Sequence, residues 1–123
     1  MNSIDWSLYP NFTPVEFRCR CGCQRADMKP EFMVKLQELR NKVGPLKITS
    51  GFRCSDHPVE RKKKRPGAHS AGMAADVQPY SSDKYGLLKA AFSMDFKGVG
   101  IAKSFIHLDE GHPFASRPAA WSY

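Results

Sequence analysis

Two stretches of this chain carry polar, chemically reactive side chains within apolar runs, and they constrain the fold more than any other feature. The first runs from His69 to Asp76, H-S-A-G-M-A-A-D, and its carboxylate lies between alanine and valine. The second runs from Phe105 to Asp109, F-I-H-L-D, and places His107 between isoleucine and leucine. A buried carboxylate without a partner is costly, so the fold has to bring it to a cation or to several donors. We therefore expect these side chains to meet.

The residue types indicate which cation they suit. Two imidazoles and one carboxylate, from His69, Asp76 and His107, form a three-ligand zinc site with a fourth position open, as in catalytic rather than structural zinc sites. Other divalent ions bind such ligands too, although zinc suits them best. Strand alternation places Asp109 on the face of His107, roughly 7 Å along the strand. Asp109 is expected either to orient His107 as an outer carboxylate or to act as a general base.

The hydrophobic pattern predicts an α+β fold, a small antiparallel sheet with flanking helices, because helices and strands do not alternate strictly. The Gly98–Ile101 segment leads into the last strand. The predicted elements are a helical turn at 13–17 capped by Thr13, a helix at 30–43, strands at 46–50 and 73–78, a helix at 85–92 and a last strand at 105–109.

Both longer helices carry an apolar stripe at helical spacing. The stripe of the first comprises Phe32, Leu36, Leu39 and Val43, and that of the second comprises Tyr85, Leu88 and Phe92. Ser81 or Ser82 is expected to cap the second helix. Residues 54–68 are expected to form a long functional or mobile loop.

The length of 123 residues predicts one domain, 1–123, with residues 1–29 as an irregular segment packed on it. The first residues show no basic region followed by an apolar stretch, and no apolar run approaches the ~20 residues that cross a bilayer. We therefore expect synthesis in the cytoplasm without a signal peptide, no membrane span, and a monomer.

The formal net charge is +7, and five cations form one run from Arg61 to Arg65. Such a run is typical of a solvated loop, and the alternative is an anion-binding role towards a cell-wall polymer, a lipid headgroup or nucleic acid. The run lacks interleaved aromatic residues and a recognisable nucleic-acid-binding motif, which argues against nucleic acid as the partner. A nucleic-acid-binding module with a cysteine-bound metal is the weakest hypothesis.

Three of the four cysteines, Cys19, Cys21 and Cys23, form a C-x-C-x-C segment that differs from the C-x2-C spacing of zinc ribbons. Three interpretations are open: reduced thiols in a turn, a second metal site, or a disulfide to Cys54. Cytoplasmic synthesis argues against the disulfide.

These motifs together resemble the zinc D-Ala-D-Ala carboxypeptidase family, which includes phage peptidoglycan endopeptidases and shares its fold with the hedgehog signalling domain. The resemblance runs from about residue 11 to residue 111. It is carried by S-G-F-R at 50–53, His57, G-A-H-S-A-G-M-A-A-D-V at 67–77, G-V-G-I at 98–101 and F-I-H-L-D at 105–109. It implies His69, Asp76 and His107 as zinc ligands, Arg53 as the partner of a substrate carboxylate, and Ser70 as a further substrate contact.

The chain also departs from the family pattern. Gly67 stands where a serine is frequent, and Ser104 and Phe105 stand where many members carry an acidic residue or histidine as general base. His57 is expected on the loop surface or at the rim of the site, and His112 in solvent.

The leading hypothesis is therefore a zinc-dependent peptidase that cleaves peptidoglycan stem peptides or cross-links, a phage or bacterial cell-wall hydrolase that acts after release or within a virion. The alternative is a non-catalytic zinc domain that binds peptidoglycan or a partner protein.

Overall fold

The computed structural model describes residues 4–63, 67–111 and 116–123. Lys64 and Arg65 of the basic run lie outside the described residues, as does His112. A 3-10 helix, Trp6–Leu8, precedes helices α1 (Pro14–Phe17), α2 (Pro30–Val43), α3 (Pro58–Arg61) and α4 (Lys84–Ser93) and strands β1 (Leu46–Ser50), β2 (Ala74–Pro79), β3 (Gly98–Ile101), β4 (Ile106–Asp109) and β5 (Ala119–Ser122).

The strands form one sheet in the order β1-β2-β4-β3-β5. The pairings β1–β2, β2–β4 and β3–β4 are antiparallel, which confirms the predicted α+β class. The pairing of β3 with β5 is parallel, so the sheet is mixed, with an edge strand that the sequence analysis did not anticipate. The short segment Ala-Ala-Trp-Ser has no alternating apolar pattern, and only its long-range pairing with β3 defines it as a strand.

Helix α2 occupies the predicted residues. Pro30 stands at its first turn, where a missing N–H costs nothing, and Gly44 ends it with φ of +91°. Its buried face carries Phe32, Leu36 and Leu39. These side chains share the hydrophobic core with the inner residues of the sheet, among them Val77, Val99, Ile106 and Leu108.

The N-terminal segment packs on this core through aromatic rings. The rings of Trp6 and Phe12 lie 5.4 and 5.6 Å from that of Phe17, centroid to centroid. Helix α1 is capped as predicted, since the Glu16 carboxylate accepts from the Thr13 N–H at 2.7 Å. A Cβ on Gly51 would lie 2.6 Å from the Phe17 Cα, so only glycine allows this close approach after β1.

Helix α4 begins one residue earlier than predicted and has a different cap. The side chain of Asp83 accepts from the Gly86 N–H at 2.8 Å, so the prediction of Ser81 or Ser82 as the cap was wrong. Ser82 instead adopts a left-handed turn conformation, with φ of +64°. A carboxylate three residues before a free N–H satisfies the helix end better than the hydroxyls further upstream.

The predicted stripe of α4 was right only for Leu88, which is partly buried against the core. Tyr85 is 77% exposed and Phe92 49% exposed, whereas Leu87 and Ala91 are buried. Helix α4 packs against α2 and β2, and the compact pair Leu87 and Ala91 allows that approach. The two aromatic rings of the stripe lie on the solvent side, so the apolar spacing alone located the buried face only in part.

The segment 54–68 contains helix α3 and is not the structureless loop that we expected. His57 caps this helix, its Nδ1 accepting from the Val59 N–H at 3.2 Å, and Pro58 occupies the first helical position. The exposed residues Arg61, Lys62 and Lys63 follow. None of the described helices combines the length and the apolar character needed to cross a membrane.

Candidate metal centre

The register of the central strands brings the predicted ligands together. Asp76 on β2 pairs directly with His107 on β4, so the two side chains share one face of the sheet. His69 reaches them from the turn that precedes β2. Its Nε2 lies 3.3 Å from Asp76 Oδ1, and His107 Nδ1 lies 3.0 Å from the same oxygen. All three side chains are buried.

The second nitrogen of each ring is already engaged. His69 Nδ1 lies 2.7 Å from the carbonyl oxygen of Gly51, which can only accept, so this nitrogen carries the proton. His107 Nε2 lies 2.6 Å from the Asp109 carboxylate and donates to it. When both rings are neutral, each directs a lone pair at Asp76, and three acceptor atoms converge on one point.

Such convergence requires positive charge between the atoms. Two additional protons would supply it, but they would make two buried imidazolium rings whose centroids are only 5.1 Å apart. Burial and like charge both oppose that state. One divalent cation supplies the same charge and leaves both imidazole rings neutral. In tetrahedral zinc sites with ligand bonds of about 2.0–2.1 Å, the ligand atoms are ~3.3–3.4 Å apart, close to the distances found here.

Without a metal ion, protons on the ring nitrogens that face Asp76 take its place, and the pKa directions show how strongly the site attracts them. Burial acts to raise the pKa of Asp76, but hydrogen bonds from His107 and His69 outweigh it and hold the pKa below its usual value. Burial acts to lower the pKa of His107, but hydrogen bonds to Asp109 and Asp76 outweigh it and raise the pKa. The metal-free centre therefore holds protons tightly, and a metal ion has to displace them.

Asp109 is fully buried behind His107. Besides the imidazole, its oxygens accept from the Gly111 N–H at 2.8 Å and from Nε and Nη2 of Arg117 at 2.9 and 2.7 Å. Burial acts to raise the pKa of Asp109, but the hydrogen bonds from His107 and Arg117 hold it well below its usual range. A carboxylate with four donors around it is poorly placed to take a proton from water. This geometry favours the orienting role over the general base.

The sequence analysis missed Arg117. A buried Asp109 signals that a cation is needed nearby, but nothing local indicates which of the 19 lysines and arginines supplies it. The guanidinium of Arg117 also lies over the Trp121 ring, 4.9 Å from its centroid. Arg117 thus joins the carboxylate behind the centre to an aromatic side chain in front of it.

Arg53 faces the centre from the loop after β1, and none of the described residues forms a short ion pair with it. Its Nη2 lies 3.6 Å from Asp76 Oδ2 and its Nη1 lies 3.8 Å from Glu60 Oε2, beyond hydrogen-bond distance. Its Nε is buried and has no hydrogen-bond partner among the described residues. A buried donor of this kind needs an acceptor that the described residues do not supply.

Ser70 and Glu60 support the Arg53 loop from behind. The Ser70 hydroxyl lies 2.6 Å from the Arg53 carbonyl oxygen and 3.0 Å from Glu60 Oε1, so it faces the base of this loop. Glu60 is almost fully buried and also receives Lys63 Nζ at 2.9 Å and the Gly67 N–H at 3.2 Å. The sequence analysis did not single out Glu60. The substrate contact predicted for Ser70 stays a prediction.

A cavity of about 400 Å³ opens in front of the three candidate ligands. Its polar wall includes Arg53, Lys63 and Arg117, and its apolar wall includes Phe105, Trp121 and Tyr123. The Trp121 ring lies 5.3 Å from that of His107, centroid to centroid. The cavity therefore combines cations with flat apolar surfaces.

The four cysteines gather at a second place. Their sulfurs lie within 4.8 Å of one another, and all four are free thiols. The contact with Cys21 lowers the pKa of Cys54 to about 7, which gives Cys54 thiolate character near neutral pH. Cys54 directly follows Arg53 in the chain.

Three convergent candidate ligands at the floor of a cavity suit a metal ion with one position open to a molecule in the cavity. A comparison with protein-family models matches residues 10–109 to the family described as Peptidase M15. The match covers most of the chain, so the chain belongs to the Peptidase M15 family. It contains the candidate ligands and Asp109 and ends before Arg117 and Trp121. A comparison with curated proteins found no match.

Proposed function

We propose that this protein is a zinc-dependent peptidase that cleaves peptide bonds in peptidoglycan stem peptides or cross-links. The observation that carries the proposal is the convergence of His69 Nε2, His107 Nδ1 and Asp76 Oδ1 on one point beneath a cavity. A zinc ion held by these three residues would supply Lewis acidity and a bound water whose pKa is lowered to about 7.

The protein residues behind the metal site set its geometry. Asp109 fixes the tautomer of His107 by accepting from Nε2, which keeps the Nδ1 lone pair directed at the site. Arg117 balances the charge of Asp109 with two hydrogen bonds and so keeps that carboxylate ionised. These two side chains position a ligand, and neither needs to contact substrate for this role.

Arg53 supports a substrate that carries a carboxylate. A guanidinium fork binds a carboxylate through two parallel hydrogen bonds, and the terminal nitrogens of Arg53 lie 3.6 and 3.8 Å from the carboxylates of Asp76 and Glu60, beyond hydrogen-bond distance. Stem peptides of peptidoglycan carry free carboxylates beside short aliphatic side chains. The aromatic wall formed by Phe105, Trp121 and Tyr123 suits the aliphatic part of such a peptide.

Hydrolysis of purified peptidoglycan, followed by mass analysis of the products, tests the proposal. The wild-type protein loaded with zinc is expected to release new peptide termini, and His107→Ala is expected to release none while its zinc content falls. Ser104→Ala is the matched control, because Ser104 is exposed and lies only three residues away. Full activity of His107→Ala would refute the proposal.

The charge of the chain favours an anionic target. The net charge of +7 and the exposed residues at 61–63, where Lys63 also borders the cavity, support electrostatic attraction to cell-wall polymers. We propose a phage or bacterial cell-wall hydrolase that reaches the wall after release or as part of a virion.

A second function, zinc-dependent binding without cleavage, is favoured by one observation. Asp109 has donors on both oxygens, and the position where relatives often carry a base holds Phe105. Bound zinc together with specific retention on peptidoglycan and no released peptides would support this function over hydrolysis.

A further inference from the structure

The second gathering of ligand atoms consists of Cys19, Cys21, Cys23 and Cys54, which we call the cysteine cluster. The Cys54 Sγ lies 3.1 Å from that of Cys21 and 3.6 Å from that of Cys19. A disulfide holds its sulfurs at about 2.03–2.05 Å, so neither contact is a disulfide. Thiolates on a tetrahedral zinc ion, with Zn–S bonds of about 2.3 Å, are ~3.8 Å apart.

The backbone around the cluster is folded to present the sulfurs. The Cys19 N–H donates to the Arg25 carbonyl at 2.7 Å and closes the loop that carries three of the cysteines. Gly22 and Gln24 reverse the chain within this loop, with φ of +101° and +63°. In an extended segment, cysteines two residues apart would share a face but lie ~7 Å apart along the chain. The turn of this loop instead brings the three sulfurs within 4.8 Å of one another and of Cys54.

Two backbone donors also face the sulfurs. The Cys54 N–H donates to the Cys19 Sγ at 3.3 Å, and the Arg25 N–H donates to the Cys23 Sγ at 3.5 Å. Hydrogen bonds of this kind stabilise negative charge on sulfur. Free thiols in an unoccupied turn have no need for four converging sulfurs with backbone support, whereas metal-bound thiolates do.

We propose that the cysteine cluster binds a zinc ion of its own, in a closed four-thiolate site separate from the candidate peptidase centre. Four protein ligands leave no open position, so this ion is structural. It joins the 19–23 loop of the N-terminal segment to the loop after β1, two regions that are more than thirty residues apart in sequence.

The site has a consequence for the peptidase centre. The segment 51–54 contributes Cys54 to the cysteine cluster, carries Arg53 towards the cavity, and provides the Gly51 carbonyl that accepts from His69 Nδ1. An ion on Cys54 therefore fixes the backbone from which both neighbours act. This role is independent of which bond the protein cleaves, or of whether it cleaves one.

Cobalt substitution tests the site directly. Cobalt bound to thiolates gives a strong charge-transfer band in the near ultraviolet, and ligands of the His69, Asp76 and His107 type give none. We expect this band in cobalt-loaded wild type and in His107→Ala, and we expect Cys23→Ser to lose most of it. Cys23 is exposed, so its substitution disturbs the core least, and Arg20→Ser in the same loop is the matched control.

Zinc content and thiol counting complete the test. We expect two zinc ions per chain in wild type and Arg20→Ser, and one in either Cys23→Ser or His107→Ala. Denatured, chelator-treated protein should show four reactive thiols. Two reactive thiols, which would indicate a disulfide, or the absence of the charge-transfer band in wild type would overturn the proposal. Both results come from the wild-type protein and do not depend on whether the variants fold. If the charge-transfer band is present but the protein has no peptidase activity, the proposed zinc site at the cysteine cluster is supported and only the proposed peptidase function is refuted.

Discussion

At the scale of single residues, the candidate centre depends on which atom of each side chain faces inward. The two histidines present different nitrogens to Asp76, because the Gly51 carbonyl engages Nδ1 of His69 and Asp109 engages Nε2 of His107. The second partner of each ring thus selects the nitrogen left for a metal. The partner of His69 is a backbone carbonyl, but that of His107 is a side chain, and substitutions of Asp109 should weaken metal binding without removing a ligand.

Asp109→Asn is the first such substitution. The amide still fills the space but cannot match the negative charge that faces His107 and Arg117. We expect zinc affinity to fall by about 10–100-fold, the usual effect of removing an outer-shell partner. Competition with a chelator of known affinity measures the change. Asp95→Asn makes the same chemical change at an exposed position and should leave the affinity unaltered.

Arg53→Lys tests the assignment of the substrate carboxylate. Lysine keeps the charge but loses the planar fork, so we expect KM to rise by about 10-fold or more while zinc content stays constant. The comparison of a stem peptide with its carboxylate-amidated analogue decides the matter. Wild type should discriminate between the two peptides, and Arg53→Lys should discriminate less. Equal loss on both would assign Arg53 to the structure of the loop instead.

At the scale of elements, strand β3 leaves room for Asp109 and Trp121, the side chains that surround His107. Gly98 pairs with Asp109, and a Cβ on Gly98 would lie 2.3 Å from the Asp109 carboxylate. Gly100 pairs with His107, and a Cβ there would meet the Trp121 ring at 2.6 Å. The two glycines of the G-V-G pattern therefore provide the space for Asp109, on the neighbouring strand β4, and for Trp121, on the neighbouring strand β5.

Gly98→Ala should displace Asp109 from His107. We expect a loss of about 1–3 kcal/mol in the free energy of unfolding, typical of overpacking, together with weaker zinc binding. Denaturant unfolding and metal competition measure the two effects. Gly67→Ala is the control, because a Cβ there meets only the flexible end of Lys63 under 3.4 Å.

The corrected face of helix α4 gives another prediction. Leu87→Ala opens a cavity in a fully buried position and should cost about 2–5 kcal/mol of stability. Tyr85→Ala, at a position that is largely exposed, should change stability by about 0.5 kcal/mol or less. Thermal unfolding of the two variants compares them. The reverse order would restore the stripe that the apolar spacing indicated.

At the scale of the whole molecule, bound metal should contribute a large part of the stability of this 123-residue chain. Zinc at about 1,000 times its Kd stabilises the folded state by ~4.1 kcal/mol. We expect a strong chelator to lower Tm by roughly 10 °C or more, and added zinc to restore it. Calorimetry with and without chelator measures this. A Tm that does not respond to chelator in either wild type or His107→Ala would exclude tight binding at both candidate sites.

The sequence alone determined the α+β class, helix α2, the first strand and the side chains that meet at the centre. These predictions succeeded because a carboxylate in an apolar strand has few solutions, and because Pro30 and Gly44 mark a helix locally. The sequence alone did not identify the residue that pairs with Asp109. Asp109 needs a cation, but only the path of the chain after β4 decides that the cation is Arg117.

Tertiary structure also decided which face of α4 is buried, because that depends on what α2 and β2 leave room for. Tertiary structure likewise decided where the four cysteine sulfurs lie. Their spacing left thiols, disulfide and metal site all open, and only the turn at Gly22 and Gln24 together with the position of Cys54 brings four sulfurs within 4.8 Å. Local chemistry thus specified which residues need partners, and long-range packing selected the partners, because the free energy of each contact depends on groups distant in the sequence.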